Sequence, residues 1–195
     1  EDVHYKMYNY RLATWADYQL PYGLEARGVM FDVTDKENPL LVSAAPRKFF
    51  NYEQGEDLSH HLFKFGLQME KMDGSLISTY LHKGELYLKS KMSLMSEQSN
   101  MANAFLNTQP EFKEELKKIV NMGYTVNLEL ISPNNQIVVP YEKTDLIILN
   151  LRSLNNGEMM YARELTKFLQ ESGDFPESLK RMVPFKDLSD WKIEG

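Results

Sequence analysis

Short β-rich runs joined by very short polar turns constrain this chain most. Arg27 to Val33 (RGVMFDV) and Leu40 to Ala44 (LLVSA) flank Thr34-Asp35-Lys36-Glu37-Asn38-Pro39, and Leu76 to Leu81 and Glu85 to Ser90 flank His82-Lys83-Gly84. Connections of that length close antiparallel hairpins. Tyr124 to Ile131, Ile137 to Val139 and Leu146 to Leu151 are further β-rich runs. Helices are expected over Ser96 to Leu106, over Ala162 to Glu171, and over Pro110 to Met122, where Phe112, Leu116, Ile119 and Val120 form one apolar stripe. Hairpins with interspersed helices define an α+β domain built on antiparallel sheets.

Composition narrows the class. With 195 residues, 43% hydrophobic and 12% aromatic, the chain can bury one sizeable core. Its 22 basic and 28 acidic residues leave a net charge of -6, which argues against an overall nucleic-acid coat but leaves room for a local basic cleft. The absence of cysteine excludes disulfides, thiolate zinc sites and cysteine nucleophiles, and is compatible with a reducing cytoplasm. No run approaches the roughly 20 apolar residues of a membrane span, and the N-terminus EDVHYKMYNY lacks a signal-peptide pattern, so a soluble chain without a membrane partner is expected. The chain starts at Glu1 without an initiator methionine, which suggests a fragment.

Chemistry concentrates at Glu70-Lys71-Met72-Asp73-Gly74-Ser75, where a lysine precedes a tight glycine turn. The apolar approach Phe65, Leu67 and Met69, together with nearby cations, would lower the lysine pKa and expose its lone pair, making Lys71 a candidate nucleophile. Read alone, the pattern is more often a hairpin turn with a solvated lysine. Four other groups lie at strand ends. Leu24-Glu25-Ala26-Arg27-Gly28 opens one strand, and Arg47-Lys48-Phe49-Phe50-Asn51 closes another. Alternation puts Lys89 and Lys91 on one strand face, Lys89 as a solvated neighbour. Glu129 interrupts the apolar run Asn127 to Ile131; it is either a costly buried carboxylate with a function or a residue on an exposed face. His60-His61 point to opposite faces if in a strand and suggest no metal site. Lys117-Lys118 and Lys180-Arg181 read as solvated charge or, second, as nucleic-acid backbone contacts. No P-loop or dinucleotide fingerprint is present. Cations from several strands around a lysine, with carboxylates available for a divalent ion, make nucleotidyl transfer through a lysine phosphoramidate the economical reading.

The order of these blocks resembles the covalent nucleotidyltransferase superfamily of polynucleotide ligases and capping enzymes, whose first motif is Lys-x-Asp-Gly. Within it the chain is most similar to the ATP-dependent RNA ligases of T-even bacteriophages, the tRNA-repair type. The likeness rests on YNYRLATWADYQLPYGLEARGVMFDV, RKFFN, EKMDGSLISTYL, LKSKMSLMSEQSNMAN, YTVNLELISPNNQIVVPY and LIILNLR, followed by the terminal IEG. DNA ligases and capping enzymes usually carry an arginine two residues after the motif glycine. Here that position is Leu76, as in the phage RNA ligases, which use an upstream arginine matching Arg27.

The resemblance implies an ATP-grasp-like adenylyltransferase domain over residues 1–195. It also implies a cytoplasmic location, within an infected host cell if phage-encoded, and a monomer. Lys71 would take AMP from ATP and pass it to a 5′-phosphate RNA end, which is then sealed to a 3′-hydroxyl; tRNA is the expected substrate. Arg27, Lys48 and Lys91 match phosphate-contacting positions, and Phe50 matches a position required beside them. Asp73 and Gly74 shape the turn and orient the lysine, with Glu70 in the same nucleotide-binding motif. Glu129 matches the third motif, near the ribose or a metal, and Leu149 an apolar cover for adenine. Glu194 matches the fourth motif, a carboxylate for hydrated Mg²⁺ or Mn²⁺. Family members continue to a fifth motif with two lysines and to a C-terminal RNA-specificity domain. Both are expected to lie beyond Gly195, so the adenylyltransferase domain is expected to be truncated. The rival expectations are a related DNA ligase or capping guanylyltransferase, and a non-catalytic nucleotide- or RNA-binding remnant.

Overall fold

The computed structural model describes residues 2–50, 67–135 and 137–187. In chain order the elements are β1 (Tyr5–Asn9), α1 (Trp15–Tyr18), β2 (Arg27–Asp32), β3 (Leu40–Ser43), β4 (Leu67–Met69), β5 (Ser75–His82), β6 (Glu85–Ser90), α2 (Glu97–Asn107), α3 (Pro110–Asn121), β7 (Tyr124–Ile131), β8 (Asp145–Ser153), β9 (Met159–Met160), α4 (Ala162–Glu171), α5 (Pro176–Lys180) and β10 (Phe185–Asp187). They form a three-stranded sheet β1-β2-β3, a five-stranded sheet β6-β5-β7-β8-β9 and a two-stranded ribbon β10-β4. Each of these strand pairs is antiparallel, as the short turns require.

The hairpin between β5 and β6 shows how local sequence sets register. His82 pairs with Glu85, leaving a two-residue loop in which Lys83 and Gly84 both have positive φ, 50° and 79°. That is the signature of a type I′ turn, whose twist matches that of the strands. Alternation then sends Ile77, Leu86, Leu88, Val126, Leu128 and Leu130 to one face of the five-stranded sheet, where they are fully buried. Helices α2, α3 and α4 cover this face with Leu106, Phe112, Leu116, Ile119, Leu165 and Leu169. Pro110 opens α3 at a position where its missing N–H costs nothing. The buried Glu115 of α3 is satisfied by the Glu177 and Ser178 amides at 3.0 and 2.7 Å, so it caps α5 from outside.

The opposite face carries Ser78, Lys89, Thr125, Asn127, Asn150 and Arg152, and these too are buried. Their cover is the three-stranded sheet and the segment after it. Ala44 donates to Thr125 Oγ1 at 2.9 Å and accepts from Asn127 Nδ2 at 3.2 Å, while Ser43 Oγ donates to the Thr79 carbonyl at 2.9 Å. Ser78 Oγ donates to Asn127 Oδ1 at 2.6 Å, and Asn127 Nδ2 to Asn150 Oδ1 at 3.0 Å. A buried polar layer of this kind is stable because its members are paired.

Three expectations change. Residues 137–139 form no strand: Ile137, Val138 and Val139 are exposed, and the Val138 and Val139 amides bond to a side chain, Asp73, instead of a strand partner. Strand β6 ends at Ser90, so Lys91 lies in the bend that follows and does not continue the face of Lys89. Lys89 itself is not solvated but fully buried, with Nζ donating to the Gly28 carbonyl at 2.6 Å, and burial pulls its pKa down to about 7. Lys117 pairs with Glu85 and Arg181 with Glu177 and Asp145, while Lys180 reaches Glu177 but stays solvent-exposed, as expected of surface charge. Among the described residues no helix is long and apolar enough to cross a membrane.

Candidate functional site

The turn bearing Lys71 links β4 to β5. Its entry is held by β10, which pairs with β4, and by the Glu70 amide, which donates to the Pro184 carbonyl at 2.9 Å. Gly74 is dictated by close approach: a Cβ there would lie 2.2 Å from the Leu130 carbonyl oxygen and 3.2 Å from Glu129 Cγ. The turn is thereby pressed against β7, where Leu76 pairs with Glu129.

Asp73 fixes a second loop over the turn. Its Oδ2 accepts the Val138 and Val139 amides at 2.6 and 2.7 Å, and its own amide donates to the Tyr141 hydroxyl at 3.1 Å. The Val139 and Val138 bonds, aided by the charge of Lys71, hold the Asp73 pKa below the usual carboxylate range. Asn135 reinforces the loop by donating to Ser75 Oγ at 3.0 Å and to the Leu130 carbonyl at 3.1 Å. Glu129 faces the other way energetically. Burial pushes its pKa up to about 7, and the Gly74 amide and the Lys71 charge oppose that rise.

Lys71 is exposed. The apolar residues before it do not enclose it: Leu67 and Met69 are half-buried in β4, and Phe65 lies outside the described residues. Its charged surroundings are Asp73 and Glu129, both of which feel its field.

Antiparallel register carries a group of cations to the same end of the sheet. Ile77 of β5 pairs with Ser90 of β6, so Lys91 follows where the Lys71 turn enters. Burial depresses the Lys91 pKa, and the charges of Arg27 and Lys48 add to the effect, which places the three cations together. Gly28 allows this approach, since at φ 94° a Cβ would come within 2.4 Å of the Lys91 carbonyl oxygen. Arg27 Nη1 donates to the Arg47 carbonyl at 3.1 Å, and its guanidinium lies 5.4 Å from the Phe49 ring centre. Its Nε is buried without a hydrogen-bond partner among the described residues. Lys48 Nζ lies 5.1 Å from the Phe50 ring, which is in turn packed by Trp15 and Tyr18 at 5.1 and 5.3 Å. Phe50 therefore holds the ammonium by its π face.

Leu149 sits at a β-bulge. Pairing shifts from Asn127–Asn150 to Leu128–Ile148 and leaves Leu149 unpaired and half-buried, the kind of irregularity that re-aims a side chain. Glu194 lies outside the described residues, as does His60-His61. Among the described residues no three His, Asp or Glu side chains cluster as a metal site. The donor set still suits an anionic ligand carrying a divalent ion: three converging cations, an orphaned Arg27 Nε, and Glu129 to share the ion with ligand oxygens. A cavity of about 930 Å³ is lined by Tyr8, Val29, Phe31 and Leu41 of the first sheet and by Glu25, Ala44 and Arg152; Lys71, Lys91 and Glu129 do not line it.

Tyr141, Asn135 and Arg152 carry no role in the sequence reading, Glu25 enters it only as part of the block before Arg27, and Lys89 is misread there as solvated. Arg152 had one visible signal: with Asn150 it alternates against apolar residues in LIILNLR.

Comparison with known proteins settles the kinship. A sequence profile of an RNA ligase family matches residues 25–192. The chain belongs to that RNA ligase family. RNA ligase 1 of bacteriophage TS2126 is 29% identical over 155 residues, covering 73% of this chain and 38% of that protein. A Thermovibrio ammonificans protein named as an RNA ligase is 24% identical over 170 residues, covering 86% of this chain and 44% of the other. The chain thus spans less than half the length of these relatives. A Naegleria gruberi RNA ligase mutant solved with ATP and Mn superposes with a TM-score of 0.49 at 15% identity, over 63% of this chain and 36% of that one. The matched RNA ligase region includes Arg27, Lys48, Lys71, Lys91 and Glu129.

Proposed function

We propose that this chain is the adenylyl-transfer part of an ATP-dependent RNA ligase, with Lys71 as nucleophile. The observation that carries the reading is the convergence of Arg27, Lys48 and Lys91 at the sheet end where Gly74 presses the Lys71 turn against Glu129. Lys71 Nζ attacks the α-phosphorus of ATP; a P–N bond forms, the bond to the bridging oxygen breaks, and pyrophosphate leaves. An oxygen of an RNA 5′-phosphate then takes the adenylyl group and releases the lysine. Finally an RNA 3′-hydroxyl attacks the activated 5′-phosphate and AMP departs.

Each step builds negative charge on equatorial phosphate oxygens, which fixed cations stabilise without reorganisation. Arg27, Lys48 and Lys91 supply that charge, and the free Nε of Arg27 adds a donor. Asp73 sets the height of the turn through the loop it anchors, and Leu149 offers an apolar surface to the base. A divalent ion, Mg²⁺ or Mn²⁺, would be shared between Glu129, Glu194 and the phosphates and would offset charge on the leaving group. The RNA carries a 5′-phosphate and a 3′-hydroxyl, with tRNA as the substrate of first interest, and the protein acts as a monomer in the cytoplasm.

Incubation with α-³²P-labelled ATP and Mg²⁺ tests the reading. Covalent label is expected on the full-length protein and absent from its Lys71→Ala variant. Label that persists in Lys71→Ala overturns the assignment, and label from GTP in preference to ATP points to the capping class.

A further inference from the structure

We propose that Arg152 is a positioning residue that, with Glu25, suspends the two segments bearing Arg27 and Lys48 above the five-stranded sheet. This rests on the adenylyl-transfer reading for its purpose, though not for its geometry. Arg152 belongs to β8 on the polar face and is only 5% exposed. A guanidinium so buried is tolerated when its donors are used. Here they go to three separate segments: Nε to the Gly157 carbonyl at 3.2 Å, Nη1 to the Ala45 carbonyl at 2.6 Å, and Nη2 to Glu25 Oε2 at 2.5 Å.

Two of those partners immediately precede the cations of the site. Glu25 is two residues before Arg27, and Ala45 is three before Lys48. The segment 44–50 belongs to no strand, so sheet hydrogen bonds do not place it. Side chains of the polar face hold it instead: Thr125 and Asn127 at Ala44, and Arg152 at Ala45. Beyond that point the two segments brace each other. The Lys48 amide donates to the Leu24 carbonyl at 2.8 Å, Arg27 Nη1 donates to the Arg47 carbonyl at 3.1 Å, and Glu25 Oε1 lies 3.8 Å from Arg47 Nε. Arg152 is the residue through which the rigid sheet grips both segments at once, between the anchors of Thr125 and Asn127 at Ala44 and of Lys89 at Gly28. Its planar fork reaches a carbonyl and a carboxylate at once, which a lysine in its place could not do.

The test has two arms. In the first, hydrogen exchange read by mass spectrometry compares the unmodified chain with Arg152→Met, Arg152→Lys and Glu25→Gln. Loss of a charged hydrogen bond is expected to speed exchange over residues 44–50 by about tenfold or more in Arg152→Met, with Arg152→Lys between, and to leave α3 unchanged. Unchanged exchange over 44–50 overturns the proposal. Should Arg152→Met loosen α3 as well, Glu25→Gln, whose side chain is partly exposed, decides the matter by the same criterion. In the second arm, single-turnover labelling by ATP is expected to slow about tenfold at saturating ATP in Arg152→Met, because the phosphate cations are misplaced. Made on top of Arg27→Ala and Lys48→Ala, the same change should cost less than about threefold, since residues acting through one another are not additive. A full additional tenfold loss in that background overturns the positioning role. The labelling arm uses the full-length protein; if that protein takes no label, the ligase reading falls, and the exchange arm still decides whether Arg152 sets the segment.

Discussion

The two faces of the five-stranded sheet are both buried but are held by different physics. The helical face is closed by Leu106, Phe112, Leu116, Ile119, Leu165 and Leu169 packing on aliphatic strand residues. Burial there is non-directional and tolerates volume-conserving exchange. The other face is closed by hydrogen bonds that Lys89, Asn127 and Arg152 donate to, and Thr125 accepts from, the first sheet and the segment after it, and each bond has a required direction. The helical face supplies stability, whereas the polar face holds the segments that bear Arg27 and Lys48.

Substitutions should separate the two faces. Leu116→Ala on the helical face is expected to lower unfolding free energy by about 2–5 kcal/mol in urea titration, while labelling per folded molecule stays within about twofold. A large loss of labelling rate in the folded fraction would break the division of labour. Gly74→Ala should do the reverse. The 2.2 Å contact with the Leu130 carbonyl forces the turn to move, and a shift of about 1 Å at a reacting group costs on the order of a hundredfold in labelling rate. Near-normal labelling would show that the turn has room to spare.

Lys89 sharpens the comparison through pH. Its folded pKa, about 7, lies below the unfolded value near 10.5, so the unfolded chain binds the extra proton between those limits. The stability cost of burying this lysine is therefore fully present below pH 7 and fades as pH rises towards 10.5. Lys89→Met should accordingly look more favourable at pH 6 than at pH 9.5, by roughly 1–3 kcal/mol in matched melts. A difference independent of pH would mean that Lys89 stays charged, carried by Gly28 and its other neighbours. The smallest effect is expected from Phe50→Leu, which removes the π face beside Lys48 and is worth about 0.5–1 kcal/mol. It should appear as a few-fold rise in the ATP concentration that half-saturates labelling, and no rise would leave Phe50 a packing residue only.

Much of the fold was legible along the chain. Helix α3 runs from Pro110 to Asn121 and α4 from Ala162 to Glu171, and β7 covers Tyr124 to Ile131, all within a residue of expectation. Strand β1 was missed although its residues alternate, because its partner β2 lies some twenty residues away and only pairing makes it a strand. Residues 137–139 went wrong for the converse reason. Three β-branched residues favour extension, but Asp73 took two of their amides, so a side chain satisfies them in place of a strand partner. For the proposed site, motif order nominates Lys71, Gly74, Arg27, Lys48 and Lys91, whereas Tyr141 and Arg152 carry no such signal, since their partners lie 68 and up to 127 residues distant.

Turn chemistry, helix periodicity and the alternation of apolar residues act over a few residues, so the chain order alone specified the hairpins, the helices and the glycine turn at Lys71. Whether a charge is buried depends on what covers it, and that is set by segments remote in the chain. Lys89 and Arg152 became interior residues, and Glu129 gained a pKa of about 7, only when the first sheet closed over the polar face and β7 met the Gly74 turn.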